Sequence, residues 1–228
     1  MLTIIKTFLR PIRLVASVAV LCCGALTMAE TNEKESEFVL LTDESVVFVY
    51  ESRSDEKTPN SIFAYALSQD FRNAKEEFTR YDIVQDLQSE IEEKLRQAEE
   101  VKTVGVIVRG RLREYDFERK LFPINLAGGP EDYPRRIWFD QHYAVELLNV
   151  AGKIELPVPF ESAKKLAGEL QKSREVECVV VGRIRDTGQG NDNRLPPVKV
   201  VSVQADHITV RFANGQEVGS LELSVPSS

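Results

Sequence analysis

Cysteine, histidine, tryptophan and methionine are scarce in this 228-residue chain, at three, two, one and two residues respectively. Two of the cysteines, Cys22 and Cys23, fall in the first 29 residues, so the body holds only Cys178. One cysteine forms no internal disulfide, which excludes a disulfide-stapled scaffold. It also excludes the cysteine-rich zinc patterns, and His142 and His207 supply no H-E-x-x-H. Basic charge is in deficit too, with 29 Lys+Arg against 36 Asp+Glu. A surface this acidic repels nucleic acid and anionic membranes on average. No apolar run reaches the ~20 residues of a spanning helix.

Catalytic signatures are also sparse. There is no G-x-S-x-G, and the serines of "QDLQSEIEE" and "FESAKKLAG" fall in helical patterns and read as surface residues. The loop "TGQGNDNR" lacks the Gly-Lys-Ser/Thr of a phosphate loop. Asp186 just before it and its Asn191, Asp192 and Asn193 miss the EF-hand register, leaving at most a weak calcium contact from Asp186 and Asp192. No cofactor or metal is expected from these patterns.

What is present begins with an address. Residues 1–29 carry Lys6, Arg10 and Arg13, no acid, an apolar run of about 13 residues over 14–26, and the small-ended Thr27-Met28-Ala29. Basic start, short apolar centre and small-x-small finish predict a cleaved signal peptide, with the cut after Ala29. Two alternatives stand beside it: lipidation at Cys23, where Cys22 precedes it, and an uncleaved anchor. Cleavage removes three basic residues and no acid, leaving 26 Lys+Arg against 36 Asp+Glu, a net charge near −10. The expected location is periplasmic or secreted, with no membrane span after signal removal. Residues 30–37 then read as a flexible acidic leader and 38–228 as one α+β domain.

Within that domain the hydrophobic period sets the elements. "FVLL" and "SVVFVYES" read as a pair of strands, and "SIFAYAL", capped by Asn60 or Ser61, as a short helix. Phe71, Ala74, Phe78, Tyr81, Val84, Leu87, Ile91, Leu95 and Ala98 recur at three- and four-residue spacing, predicting one amphipathic helix over 71–100. Its pairs Glu76–Arg80, Glu90–Lys94 and Glu92–Arg96 are placed for i,i+4 support. "TVGVIVRGRLREYDF" alternates as a half-buried strand, "RRIWFDQHYAVELLNV" as one strand or two joined by a tight turn, and "VECVVVGRIRD" as a buried strand around Cys178. "FESAKKLAGELQKS" is a second amphipathic helix and "TGQGNDNRLPP" a loop. The tail reads as a three-strand meander with a type I′ turn at Asn214-Gly215. The predicted fold class is α+β: a mostly antiparallel sheet, one long helix and one or two shorter ones.

Three constellations remain as candidate sites. Arg109, Arg111 and Arg113 share one strand face, with Arg119, Lys120, Arg135 and Arg136 as possible neighbours. In an acidic protein this local inversion suits an acidic partner, a carboxylate or a polyanionic envelope component. Trp138 stands among Leu121, Phe122, Tyr133, Ile137 and Phe139, the aromatic and apolar type of residue that anchors protein interfaces. The third is Asp140-Gln141-His142, which places a carboxylate and an imidazole on one strand face and with an arginine would make an acid/base site; Asp206-His207 is a weaker version. The functional expectation is a non-enzymatic exported protein binding another envelope or extracellular protein, or an acidic surface component, through Arg109, Arg111, Arg113 and Trp138. The alternatives are an enzyme built on Asp140, His142 and an arginine, and a small-ligand-binding protein.

Overall fold

The computed structural model describes residues 38–126, 136–139, 142–150, 152–190 and 197–223. The signal segment, the leader, Tyr133, Arg135, Asp140 and residues 191–193 lie outside them. In chain order the elements are β1 (Val39–Leu40), α1 (Ser45–Glu51), α2 (Asn60–Leu67), α3 (Gln69–Asn73), α4 (Glu77–Glu100), β2 (Thr103–Leu112) and β3 (Leu121–Leu126). There follow β4 (Arg136–Trp138), β5 (Tyr143–Leu147), β6 (Lys153–Pro157), α5 (Phe160–Lys165), α6 (Ala167–Lys172), β7 (Glu175–Gly190), β8 (Val198–Phe212) and β9 (Glu217–Glu222).

The long β7–β8 hairpin frames the molecule. Its register slips between Val181 and Gly182 and again between Ile184 and Asp186. A Cβ on Gly182 would sit 2.3 Å from the Gln204 carbonyl oxygen, so only glycine allows this close approach. Each half of the bulged hairpin has its own neighbours. Residues 175–183 of β7 pair antiparallel with β2, which pairs with β3 and through it with β6. The second half of β8 pairs with β9, and a Cβ on Gly219 of β9 would lie 3.5 Å from the Val158 side chain, just past β6. The sheet therefore curls until β6 and β9 approach one another. The first half of β8 takes β5 in parallel and, beyond it, β4. Where β5 runs out, Asn149 continues the ladder: its side-chain amide donates to the Ala205 carbonyl and its side-chain oxygen accepts from the Ala205 N–H, both at 2.8 Å. With β1–β2 and β5–β8 as the parallel pairs, the class is α+β with a mostly antiparallel, nine-stranded sheet.

The core lies between the concave side of the sheet and the helices. Val104, Val106 and Val108 of β2, Cys178 and Val180 of β7 and Ile208 and Val210 of β8 are buried there. Val46, Phe48 and Val49 of α1 and Ile91 and Ala98 of α4 complete it.

Several local expectations are overturned. "SVVFVYES" forms α1, not a strand, because residues 46–51 are all buried and no exposed face leaves a period to read. Thr42 and Ser45 exchange bonds at its start, Ser45 N–H to Thr42 Oγ1 at 3.1 Å and Thr42 N–H to Ser45 Oγ at 2.8 Å, in the manner of a capping box. The helix expected over 71–100 breaks into α3 and α4, with Ala74 and Glu76 extended. The first turns of α4 leave the core, so Phe78 and Tyr81 are 83% and 62% exposed rather than inward. Lys94 reaches Glu44 of the α1 entry at 2.7 Å, and Arg96 pairs with Glu93 at 2.7 Å and Glu100 at 3.4 Å, in place of two of the pairs expected from spacing.

The second amphipathic helix is two short ones, α5 and α6, joined at Leu166. "TGQG" extends β7, and the meander is one 15-residue strand plus β9. The hairpin at Asn214-Gly215 forms, but only Gly215 has positive φ (84°), and its N–H bonds the Phe212 carbonyl at 2.9 Å. That is a type I turn closed by a left-handed glycine, since Asn214 does not adopt the positive φ a type I′ turn requires.

Candidate binding cleft

A cleft of about 1380 Å³ opens where the helices meet the β5 side of the sheet. Asp43 and Glu44 enter it from the capped start of α1, Ile62 and Tyr65 from α2, and Phe71 and Arg72 from α3. Arg80 comes from the first turn of α4. The sheet supplies Phe139 after β4, His142 and Tyr143 at β5, and Lys199 at the start of β8.

Below Lys199 is the one buried charged residue of the described set, Glu51, 7% exposed. One of its oxygens accepts from Tyr143 Oη at 2.6 Å and from Lys199 Nζ; the other accepts from Thr58 Oγ1 at 2.5 Å. The Lys199 ammonium also lies 5.5 Å from the ring centres of both Tyr50 and Tyr143, a cation held between two aromatic faces. Burial, and then the Glu51 charge, raises the Tyr50 phenol above its ordinary value. Every oxygen lone-pair direction used here satisfies a donor, which is what makes a buried carboxylate tolerable. Lys199 is thereby held by Glu51.

The arginines differ from each other. Arg72 spends its guanidinium on the end of α2: Nη1 donates to the Tyr65 carbonyl at 2.5 Å and the Ala66 carbonyl at 3.2 Å, and Nε and Nη2 donate to Gln69 Oε1. Arg80 uses only Nε, which donates to the Ala74 carbonyl at 2.9 Å across the α3–α4 break. Its guanidinium lies 5.7 Å from the centre of the Phe71 ring, and its two terminal amino groups have no partner among the described residues. Glu44 is matched by Lys94 and Lys199 by Glu51. The unmatched charges on the lining are thus Asp43 against Arg72 and Arg80, a positive surplus on an acidic protein.

The residues singled out in the sequence are dispersed. Arg109 and Arg111 are exposed on β2, opposite Glu177 and Glu175 of β7, and Glu177 also holds Arg211 at 3.1 Å. Arg113 follows the strand, its N–H bonded to the Pro123 carbonyl at 2.8 Å. Trp138, 41% exposed on β4, is separated from β2 by β5, β8 and β7, about 19 Å at the usual strand spacing. The structure does not bring Trp138 and the three arginines together. Arg119 pairs with Glu155 at 2.5 Å, and Lys120 turns the chain with φ 55°. His142 is exposed at the cleft, and Asp140, which the sequence set beside it, lies outside the described residues. His207 sits between Glu222 and Thr209, each at 2.9 Å.

Ser162, read from the sequence as a surface residue, is exposed on α5 away from the cleft lining. Cys178 is fully buried and burial pushes its thiol up to about 12, far from the range of a nucleophile. Among the described residues no three His, Cys, Asp or Glu side chains gather as a metal site, and no helix is long and apolar enough to cross a membrane.

Sequence reasoning passed over Glu51, Lys199, Arg72 and Arg80. Nothing local marks the first two, which are 148 positions apart. Arg80 was visible only as half of an expected helical ion pair. No family model, curated protein or solved structure matches the chain.

Proposed function

We propose that the protein is an exported, non-catalytic binding protein and that the cleft between α1–α4 and the β5–β8 side of the sheet is its binding surface. The observation that carries this reading is the unmatched Arg80 fork on the wall of a large cleft with aromatic and aliphatic lining. Convergent polar groups in a concave apolar setting are the usual form of a ligand site. The cleft is preferred to the β2 face because Arg109 and Arg111 lie on an exposed strand face in register with Glu177 and Glu175, while Arg80 lines a concavity. Export is inferred from the signal pattern of residues 1–29.

The test is made in the protein's own host. Intact mass and cell fractionation give the mature start and location: Glu30 in a soluble species, or Cys23 carrying lipid. Chemical cross-linking is then compared for wild type, Arg80→Glu, and a triple Arg109/Arg111/Arg113→Glu variant. Loss of the cross-linked species in Arg80→Glu alone is expected; loss in the triple variant alone would move the site to β2. The enzymatic alternative rests on His142 at the cleft, and full biological activity in His142→Ala would exclude it as drawn.

A further inference from the structure

Building on the assignment of the cleft as the binding surface, we propose that its ligand is an extended acidic peptide segment of a partner protein, with a carboxylate seated on Arg80. The size of the cleft is the first argument. At about 1380 Å³ it exceeds the ~300–1,000 Å³ of ordinary small-molecule pockets, and it is half open to solvent. A chain segment matches a volume of this size better than a compact metabolite does. The second argument is charge. Arg80 is tethered by Nε on the Ala74 carbonyl, with its guanidinium carbon 5.7 Å from the Phe71 ring centre, which leaves both terminal amino groups on the cleft lining for a ligand. A guanidinium fork suits the two oxygens of a carboxylate. Arg72 adds positive charge beside it, but its donors are occupied by the end of α2 and by Gln69.

Asp43 is the third argument. It is an unmatched carboxylate on the same lining, so the surface carries uncompensated charge of both signs. A peptide backbone and its side chains meet both signs; a fatty acid brings one anionic head and no donor for Asp43. Apolar side chains of the segment would lie against Ile62, Phe71 and Phe139, where the hydrophobic effect supplies most of the affinity.

The test starts from a displayed library of random linear 12-residue peptides selected on the full chain, followed by fluorescence anisotropy with the enriched peptides. Enriched sequences should combine an acid with apolar side chains. Replacing that acid by its amide, and replacing Arg80 by Glu, should each weaken binding about tenfold or more. The two changes should not add, because they remove one shared contact. Arg109→Glu should leave affinity unchanged. Arg80→Gln repeats the measurement if Arg80→Glu lowers the melting temperature. Peptides without an acid bias, or affinity indifferent to both Arg80 variants, would overturn the proposal. Octanoate, titrated in the same way by thermal shift, separates the two levels. Arg80-dependent binding of octanoate with no peptide binding keeps the cleft and removes the peptide. Arg80-dependent binding of neither removes both.

Discussion

The carboxylate of Glu51 receives donors from three distant parts of the chain: Thr58 in the loop after α1, Tyr143 on β5 and Lys199 on β8. Truncating it would leave the Lys199 ammonium, itself only 24% exposed, without its counter-charge beside a carboxylate site that is 7% exposed. Removing one partner of a buried pair costs about 3–5 kcal/mol, mostly through the charge left behind. Glu51→Ala should therefore lower unfolding stability by roughly that amount in urea titration. Glu51→Gln keeps an acceptor for Tyr143 and should cost less. The double variant Glu51→Ala/Lys199→Met should recover part of the loss, since it removes the stranded charge. No recovery would mean that Lys199 is held by its two tyrosine rings rather than by Glu51.

At the scale of the element, the bend of the β7–β8 hairpin depends on Gly182. A Cβ there meets backbone, with Ala205 Cα at 2.7 Å and the Gln204 oxygen at 2.3 Å, so no side-chain rotation relieves it. Gly182→Ala should cost about 3 kcal/mol, the upper range of overpacking, while Gly188→Ala on the same strand, with nothing within 4 Å, should stay within about 0.5 kcal/mol. Equal effects would show that the bend is set elsewhere. This bend also marks the limit of what was legible in advance. Alternation exposed β2, and the short helix α2 followed from its local apolar pattern, although Pro59 rather than Asn60 or Ser61 stands at its N-cap and no side chain caps it. The period of two along β8 breaks at its bulges, which made one strand look like two. α1 hid because tertiary burial overrode the β-propensity of Val46, Val47 and Val49. No glycine or proline marks the α3–α4 break, and Phe78 and Tyr81 kept the helical spacing while leaving the core. The candidate site was less legible than the fold: the sequence offered His142, while Arg80, Glu51 and Lys199 acquire their roles only through contacts that no local pattern encodes.

For the whole molecule the acid response follows from two opposing terms. With 36 acidic and 29 basic residues, lowering the pH from 8 toward the sequence isoelectric point of about 5.1 relieves self-repulsion and should hold or raise the melting temperature. Below that range the paired carboxylates dominate. Arg119 holds Glu155 below its usual range by hydrogen bonding, and Arg96 with Gln97 does the same for Glu93. A carboxylate whose folded value is depressed adds stability above its unfolded value, about 4.3, and that stability is lost as the pH falls through the folded value. The melting temperature should therefore fall below about pH 4. Arg119→Gln should be less stable than wild type near pH 6, and the difference should shrink as the pH falls through the depressed Glu155 value and the carboxylate loses its charge. Because the pair is exposed, 1 M NaCl should shrink the difference at pH 6 as well. A difference that stays the same from pH 6 down to the acid limit of the folded state, and does not respond to salt, would mean that Arg119 acts through the packing of its stem at the β3–β6 edge and not through its charge.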